Sequence, residues 1–261
     1  MPVAVFAPSI PVWVDLASPD VEGSKAFYTR LFGWEAQTIP DPAAGGYTFF
    51  TLRGKQVAGV GPLQNPNQPP AWSVYMGTEN ADATSRAVRE AGGRVVAAPF
   101  DVMNVGRMAV FTDPAGAFFS VWQAGEHKGA EVTQEPNTFA WTELLTRDIE
   151  GAKGFYKKVF GWGHKTSAVP PATPASPPHY TEWQLGGKSI AGGMAMTDQI
   201  PANVPPNWTN YFAVTDVDAA ATKAQGLGAK ALVPPSDYPG GRFAVLSDPQ
   251  GAAFGLLFAK P

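Results

Sequence analysis

The stretch from Phe27 to Trp34, Phe-Tyr-Thr-Arg-Leu-Phe-Gly-Trp, returns as Phe-Tyr-Lys-Lys-Val-Phe-Gly-Trp from Phe155 to Trp162. Two copies so alike must build the same local structure and bury the same face, which removes most folds from consideration. In each copy an aspartate stands seven residues ahead of the Phe-Tyr pair, at Asp20 and Asp148. Phe27/Leu31 and Tyr28/Phe32 lie four apart, as do Phe155/Val159 and Tyr156/Phe160, so one helix face is apolar. Asp20 and Asp148 suit N-caps, whose side chains accept orphan amide protons of the first turn. Gly33 and Gly161 suit the left-handed residue that ends a helix. Ahead of each aspartate runs a β-like segment with a tryptophan and a carboxylate, Trp13-Val14-Asp15 and Trp141-Thr142-Glu143. The predicted unit is strand, capped helix and glycine stop, made twice.

At 261 residues, each half of the chain is long enough to bury a core of its own. The repeat predicts a first domain over residues 1–126, a linker over 127–137 and a second domain over 138–261. With 44% hydrophobic and 16% charged residues the composition is that of a globular protein. A net charge of -3 without basic clusters gives no support for binding nucleic acid or an anionic membrane. The absence of cysteine rules out disulfides, thiolate metal sites and cysteine nucleophiles. No apolar run approaches the roughly 20 residues that span a bilayer. The first eight residues lack the basic start and apolar stretch of a signal peptide, so a cytoplasmic protein is expected.

In the first half, strand signals over 10–17, 35–39, 47–52 and 56–60 surround the first helix, which is predicted over 20–32. A Pro/Asn-rich loop at 64–70 closes this module. The next has a strand at 71–76, a helix over about 81–91 stopped by Gly92-Gly93, and strands at 94–98, 106–112 and 117–123. After a polar stretch at 125–138 the order repeats. Trp72 and Tyr75 answer to Trp208 and Tyr211, Gly106-Arg107 to Gly241-Arg242, and Asp113-Pro114-Ala115-Gly116 to Asp248-Pro249-Gln250-Gly251. The second copy is five residues longer between Trp162 and Gly187, within a proline-laden loop at 169–179 expected to be mobile. The chain therefore holds four strand–helix–strands modules.

These motifs together resemble the vicinal oxygen chelate superfamily, which includes glyoxalase I, bleomycin-resistance proteins and extradiol dioxygenases. The closer likeness is to an actinobacterial two-domain group that includes a mycobacterial culture-filtrate antigen, some of whose members carry glyoxalase or hydroxylase labels. The fold implied is α+β: four βαβββ modules paired into two glyoxalase-like domains, each an open sheet curled round a cleft. Two such domains in one chain mimic the dimer of single-domain relatives, so a monomer is expected, with self-association left open. The resemblance also places the metal ligands of the superfamily's enzymes. They fall on Trp13 and Trp141, Ser73 and Thr209, Ser120 and Gly255, and near residues 58–60 and 191–193. Indole cannot ligate, because its nitrogen is only a donor. A transition metal needs several imidazole or carboxylate donors converging at about 2 Å. No metal and no cofactor is therefore expected. His127, His164 and His179 are scattered and read as surface residues.

Strand alternation carries Asp15 to the face of Trp13, and Glu143 to that of Trp141. The same parity turns Ser73, Tyr75, Phe118, Ser120 and Trp122 inward, and Thr209, Tyr211 and Leu257 in the second half. Aromatic rings, hydroxyls and one carboxylate suit a flat, mainly apolar small molecule. The candidate binding residues are Trp13, Asp15, Tyr75, Arg107, Ser120, Trp122, Trp141, Glu143, Tyr211 and Arg242. Two readings of the charged four stand side by side. Asp15 and Glu143 need partners if buried, and Arg107 and Arg242 recur in the right relative place to pair with them. Alternatively, these groups hold a polar ligand or serve as base and electrophile in catalysis. Asp113 and Asp248 belong to β-turns. No dinucleotide, phosphate-loop or nucleophile-elbow motif occurs. Gly186-Gly187 and Gly192-Gly193 read as turn and close-packing glycines. The functional expectation is a metal-free protein that sequesters an aromatic or polycyclic compound. The alternative is an enzyme acting on an aromatic or ketone metabolite, with Asp15 or Glu143 as general base.

Overall fold

The computed structural model of the chain describes residues 6–170 and 177–260. The first half runs β1 (Pro11–Ser18), α1 (Val21–Phe32), β2 (Glu35–Thr38), β3 (Thr48–Leu52) and β4 (Lys55–Pro62). It continues with β5 (Ala71–Gly77), α2 (Ala81–Glu90), β6 (Arg94–Val102), β7 (Gly106–Thr112) and β8 (Phe118–Ala124). The second half repeats this as β9 (Phe139–Thr146), α3 (Ile149–Phe160), β10 (Gly163–Ala168), β11 (His179–Leu185) and β12 (Lys188–Ala195). Its second module is β13 (Asn207–Ala213), α4 (Val217–Gly226), β14 (Lys230–Tyr238), β15 (Gly241–Ser247) and β16 (Ala253–Ala259). Each half forms one open, eight-stranded mixed sheet, ordered β2-β3-β4-β1-β5-β8-β7-β6 and β10-β11-β12-β9-β13-β16-β15-β14. The α+β class and the four repeated modules are as the sequence predicts. None of the described helices is long and apolar enough to cross a membrane.

The predicted helix signals hold in detail. The Asp20 carboxylate accepts from the Gly23 amide at 2.9 Å, and Asp148 from Gly151 at 2.8 Å. Gly33 and Gly161 sit at φ 72° and 73°, the left-handed region where a Cβ would be strained. β6 and β14 run longer than the sequence suggests, to Val102 and Tyr238. Register shifts between Val95 and Phe100, and between Ala231 and Ser236, let the strands pass prolines that have no amide to donate. The mobility expected of the proline loop concerns residues 171–176, which lie outside the described residues.

Alternation along the central strands decides what each sheet shows. Val14, Leu16, Trp72, Val74, Phe119 and Val121 turn toward the helices, all at most 5% exposed. Burying each such side chain stabilises the fold by about 1.5–3 kcal/mol. These residues form one continuous core with Leu144, Trp208, Phe254 and Leu256 of the second half, rather than a separate core in each half. Phe32 of α1 lies 5.2 Å from Phe212 of β13, and Phe119 of β8 lies 5.8 Å from Tyr156 of α3. Helix α1 packs against α4, and α2 against α3. Odd-numbered neighbours such as Trp13, Asp15, Ser73 and Tyr75 point the other way, into the cup of their own sheet.

Candidate functional site

The register of the first sheet aligns Asp15 of β1 with Gly59 of β4 on one side and Ser73 of β5 on the other. Trp13 pairs with Tyr75, and Tyr75 in turn with Ser120 of β8. The predicted residues Trp13, Asp15, Tyr75, Ser120 and Trp122 are therefore brought together on the floor of the first cup. Tyr75 donates its hydroxyl proton to Asp15 Oδ2 at 2.9 Å. Tyr47, which the sequence reading passed over, donates to the same oxygen at 3.1 Å and accepts from Trp13 Nε1 at 3.0 Å. The floor is thus a chain of donors, indole to phenol to carboxyl, closed by a second phenol.

The second cup repeats the chain. Trp141 Nε1 donates to the Tyr180 hydroxyl at 2.9 Å, and Tyr211 donates to Glu143 Oε1 at 3.3 Å. The Tyr180 hydroxyl is also bonded to the Glu143 carboxyl. Glycines make room for these rings. A methyl group at Gly59 would overlap the Tyr47 hydroxyl, and one at Gly192 the Tyr180 hydroxyl. Gly255 lies under the Tyr211 ring and Gly193 under Trp183, the close packing that the glycine pairs imply. Tyr47 and Tyr180 hold matching places in the two copies, Tyr-Thr-Phe-Phe and Tyr-Thr-Glu-Trp. That match was the signal available for finding them.

Both carboxyls sit where ionisation is costly. Burial pushes Asp15 up from 3.8 to about 6, with the two tyrosine hydroxyls pulling against it. Burial likewise pushes Glu143 up from 4.5 to about 7, opposed by Tyr180 and Tyr211. No cation among the described residues offsets either shift. The paired arginines are elsewhere, which corrects the expectation of Asp15–Arg107 and Glu143–Arg242 ion pairs. Arg107 shares the parity of Ala109 and Phe111 and so lies on the helix side of its sheet. There its guanidinium meets Asp82 of α2 at 3.1 Å and Asp101 of β6 at 2.9 Å. Arg242 does the same with Asp218 at 2.6 Å and Asp237 at 2.8 Å. Each arginine staples a helix start to a strand end, away from the cup floors.

His127 is a second correction, since it is partly buried, with its ring turned onto the floor of the first cup. Its ring packs edge-on against Trp13 at 4.6 Å and meets Phe49 at 5.4 Å and Trp122 at 5.7 Å. Burial lowers its pKa to about 4, against a raising influence from Glu131. Two backbone bonds fix the segment: Trp122 Nε1 donates to the His127 carbonyl at 2.8 Å, and the His127 amide to the Val105 carbonyl at 3.1 Å. Farther on, Ala130 donates its amide to Val12 at 2.8 Å. Trp13 is consequently 4% exposed, whereas Trp141 is only partly buried and makes no ring contact among the described residues. Burial raises the pKa of the Tyr238 phenol, with a smaller contribution from nearby Glu143, and its ring lies 6.2 Å from Phe243.

The positions that hold metal in the resembled enzymes do not suit one here. Trp13 and Trp141 offer N–H groups already spent on tyrosines, and Ser73, Thr209, Ser120 and Gly255 bring no carboxylate or imidazole. The remaining position is covered by the ring of Tyr47 or Tyr180 over its glycine. Among the described residues no three His, Cys, Asp or Glu side chains come together.

Comparison with known proteins accords with this architecture. The profile of the glyoxalase/bleomycin resistance protein/dioxygenase superfamily matches residues 10–121 and 138–256. The chain is 41% identical over 266 residues to the anthracycline biosynthesis protein DnrV of Streptomyces peucetius, covering 97% of this chain and 94% of that one. It is 40% identical over 256 residues to the protein named "Putative glyoxylase CFP32" in Mycobacterium tuberculosis, covering 96% and 95% respectively. Among solved structures, the Mn(II)-bound glyoxalase of Novosphingobium aromaticivorans superposes with a TM-score of 0.63 at 17% identity, over 95% of this chain and 81% of that one. The 2,3-dioxygenase LapB of Pseudomonas sp. KL28 gives 0.60 at 12% identity, over 96% and 93%. At such identities these two likenesses show the shared fold alone.

Proposed function

The chain belongs to the glyoxalase/bleomycin resistance protein/dioxygenase superfamily, and from that premise we propose that it binds a planar polycyclic aromatic compound in its second cup without a metal. The observation that carries this reading is the Trp141–Tyr180–Glu143–Tyr211 network, whose indole and Tyr180 ring keep partial exposure on the cup floor. Flat rings gain by stacking on such aromatic surface. Tyr238 and Phe243 extend the apolar wall. The carboxyl of Glu143, neutral below its pKa of about 7, offers a hydrogen bond to a ring hydroxyl or ketone. Support comes also from DnrV, whose name ties it to anthracyclines, which are fused-ring aromatic ketones.

The test is titration with a hydroxyanthraquinone, followed by tryptophan fluorescence in the presence of EDTA. Saturable quenching that is lost in Trp141→Ala is expected. No binding, or binding that needs an added metal, overturns the reading.

A second reading is favoured by the placement of both carboxyls, each held on a cup floor by tyrosine hydroxyls and raised in pKa by burial. Glu143 at about 7 and Asp15 at about 6 are poised to exchange a proton with a bound ring ketone. On this reading the protein is an enzyme in which Asp15 or Glu143 is the general base. Exchange of deuterium from solvent into an acidic C–H of the bound ligand, abolished in Glu143→Gln, is its signature. Exchange unaffected by both Glu143→Gln and Asp15→Asn discards it.

A further inference from the structure

The two cups have matching floors and different occupants. In the first, the imidazole of His127 stands edge-on to Trp13 at 4.6 Å and also touches the rings of Phe49 and Trp122. In the second, the partly exposed Trp141 has no ring partner among the described residues. His127 lies on neither β8 nor β9 but on the segment between them, and so has no place in the repeated module. Its Nε2 is buried and has no hydrogen-bond partner among the described residues. A residue placed for stability would satisfy that nitrogen, because a buried unpaired polar atom costs about 1–3 kcal/mol. The ring is held instead by its flat faces and edges, as a bound heteroaromatic would be. The backbone on either side is pinned by the Trp122 Nε1 bond to its carbonyl and the Ala130 amide bond to Val12.

We propose that the first cup is a binding site for planar heteroaromatic rings that the chain fills itself, with the His127 imidazole as an intramolecular ligand. The aromatic surround of Trp13, Phe49 and Trp122 selects the ring, and the strap from Gly125 to Ala130 delivers it. One external ligand therefore binds per chain, in the second cup, until the imidazole is removed. The assignment of the second cup rests on the function proposed above; that of the first does not.

The experiment removes the side chain and returns the ring. His127→Ala, checked for folding by near-ultraviolet circular dichroism, is titrated with free imidazole, read by its melting temperature and tryptophan fluorescence. Saturable binding is expected in His127→Ala, with none in the wild type, in His127→Phe or in His127→Ala combined with Trp13→Ala. A folded His127→Ala that ignores imidazole overturns the proposal. In parallel, the wild type is titrated with a hydroxyanthraquinone. One molecule per chain, insensitive to Trp13→Phe, is expected, rising to two in His127→Ala. Two molecules in the wild type, or loss of binding on Trp13→Phe, overturn the proposal even if the alanine variant does not fold. Absence of anthraquinone binding to any form counts against the proposed function, while the imidazole arm still decides the occupancy of the first cup.

Discussion

Tyr28 of α1 donates its hydroxyl proton to Asp248 Oδ2 at 2.9 Å, across 220 residues of sequence, and Tyr156 of α3 does the same to Asp113 at 3.2 Å. Each aspartate belongs to an Asp-Pro-x-Gly turn of the opposite half. Asp248 Oδ1 meanwhile accepts the amides of Gln250 and Ala252, and Asp113 Oδ1 that of Ala117. Each tyrosine also accepts an indole proton, from Trp72 at 2.8 Å and Trp208 at 3.0 Å. The turn aspartates are thus the joints between the halves.

Tyr28→Phe should therefore cost more than one hydrogen bond. It leaves a buried carboxylate oxygen and a buried indole N–H without their partner, for a loss of about 2–4 kcal/mol. Urea unfolding followed by fluorescence and by far-ultraviolet circular dichroism checks this. Because the core is continuous across the halves, one coincident transition is expected in wild type and variant. Two resolved transitions in the wild type would contradict a shared core.

Asn210 is fully buried on the helix side of β13, and neither its Nδ2 nor its Oδ1 has a hydrogen-bond partner among the described residues. Its counterpart in the first half is Val74, also buried. Asn210→Val should stabilise the protein by about 1–3 kcal/mol, since it removes two desolvated polar atoms and introduces the β-branched residue found at Val74, which suits a strand. A rise in the urea midpoint with unchanged slope is the expected result.

The pH dependence of stability should separate Glu143→Gln from wild type. The folded pKa of about 7 lies above the ordinary 4.5, so between these values the folded state holds more protons than the unfolded. The stability linked to this group is present below about pH 4.5, falls as pH rises through 7, and amounts to about 3 kcal/mol in all. Glu143→Gln lacks the titration. Its stability relative to wild type should rise from about pH 5 to about pH 8.5, as measured by urea unfolding at each. A constant difference would show that the carboxyl titrates normally.

Gly59→Ala tests the seating of Tyr47. The new methyl group would overlap the Tyr47 hydroxyl, so the ring must swing away and release both Trp13 Nε1 and Asp15. A loss of about 1–3 kcal/mol is expected. A red-shifted tryptophan emission from a newly exposed Trp13 reports the movement.

The repeat made the fold legible, because strand, cap, helix face and glycine stop each appear twice with a local physical cause. Parity along β1, β5 and β8 also placed Trp13, Asp15, Tyr75, Ser120 and Trp122 together. Parity does not name partners, and that is where the reading of Arg107 and Arg242 went astray. The information was present: Asp82 and Asp218 open α2 and α4, Asp101 and Asp237 stand near the ends of β6 and β14, and all recur with the arginines. His127 was illegible for the opposite reason. It occurs once, in a segment without periodicity, and only tertiary packing carries it over Trp13. The Tyr28–Asp248 and Tyr156–Asp113 bonds likewise depend on how two sheets face each other, which no local pattern encodes.

The covalent segment that holds His127 has one last consequence. Two identical subunits related by a twofold axis cannot differ at a single site: a mutation that obstructs one pocket obstructs both. Once fused, the copies inherit separate codons, and an occlusion acquired by one leaves the other free to serve. A tandem chain is open to asymmetry of this kind, and here the His127 imidazole, on the segment between β8 and β9, packs over Trp13 while Trp141 keeps partial exposure.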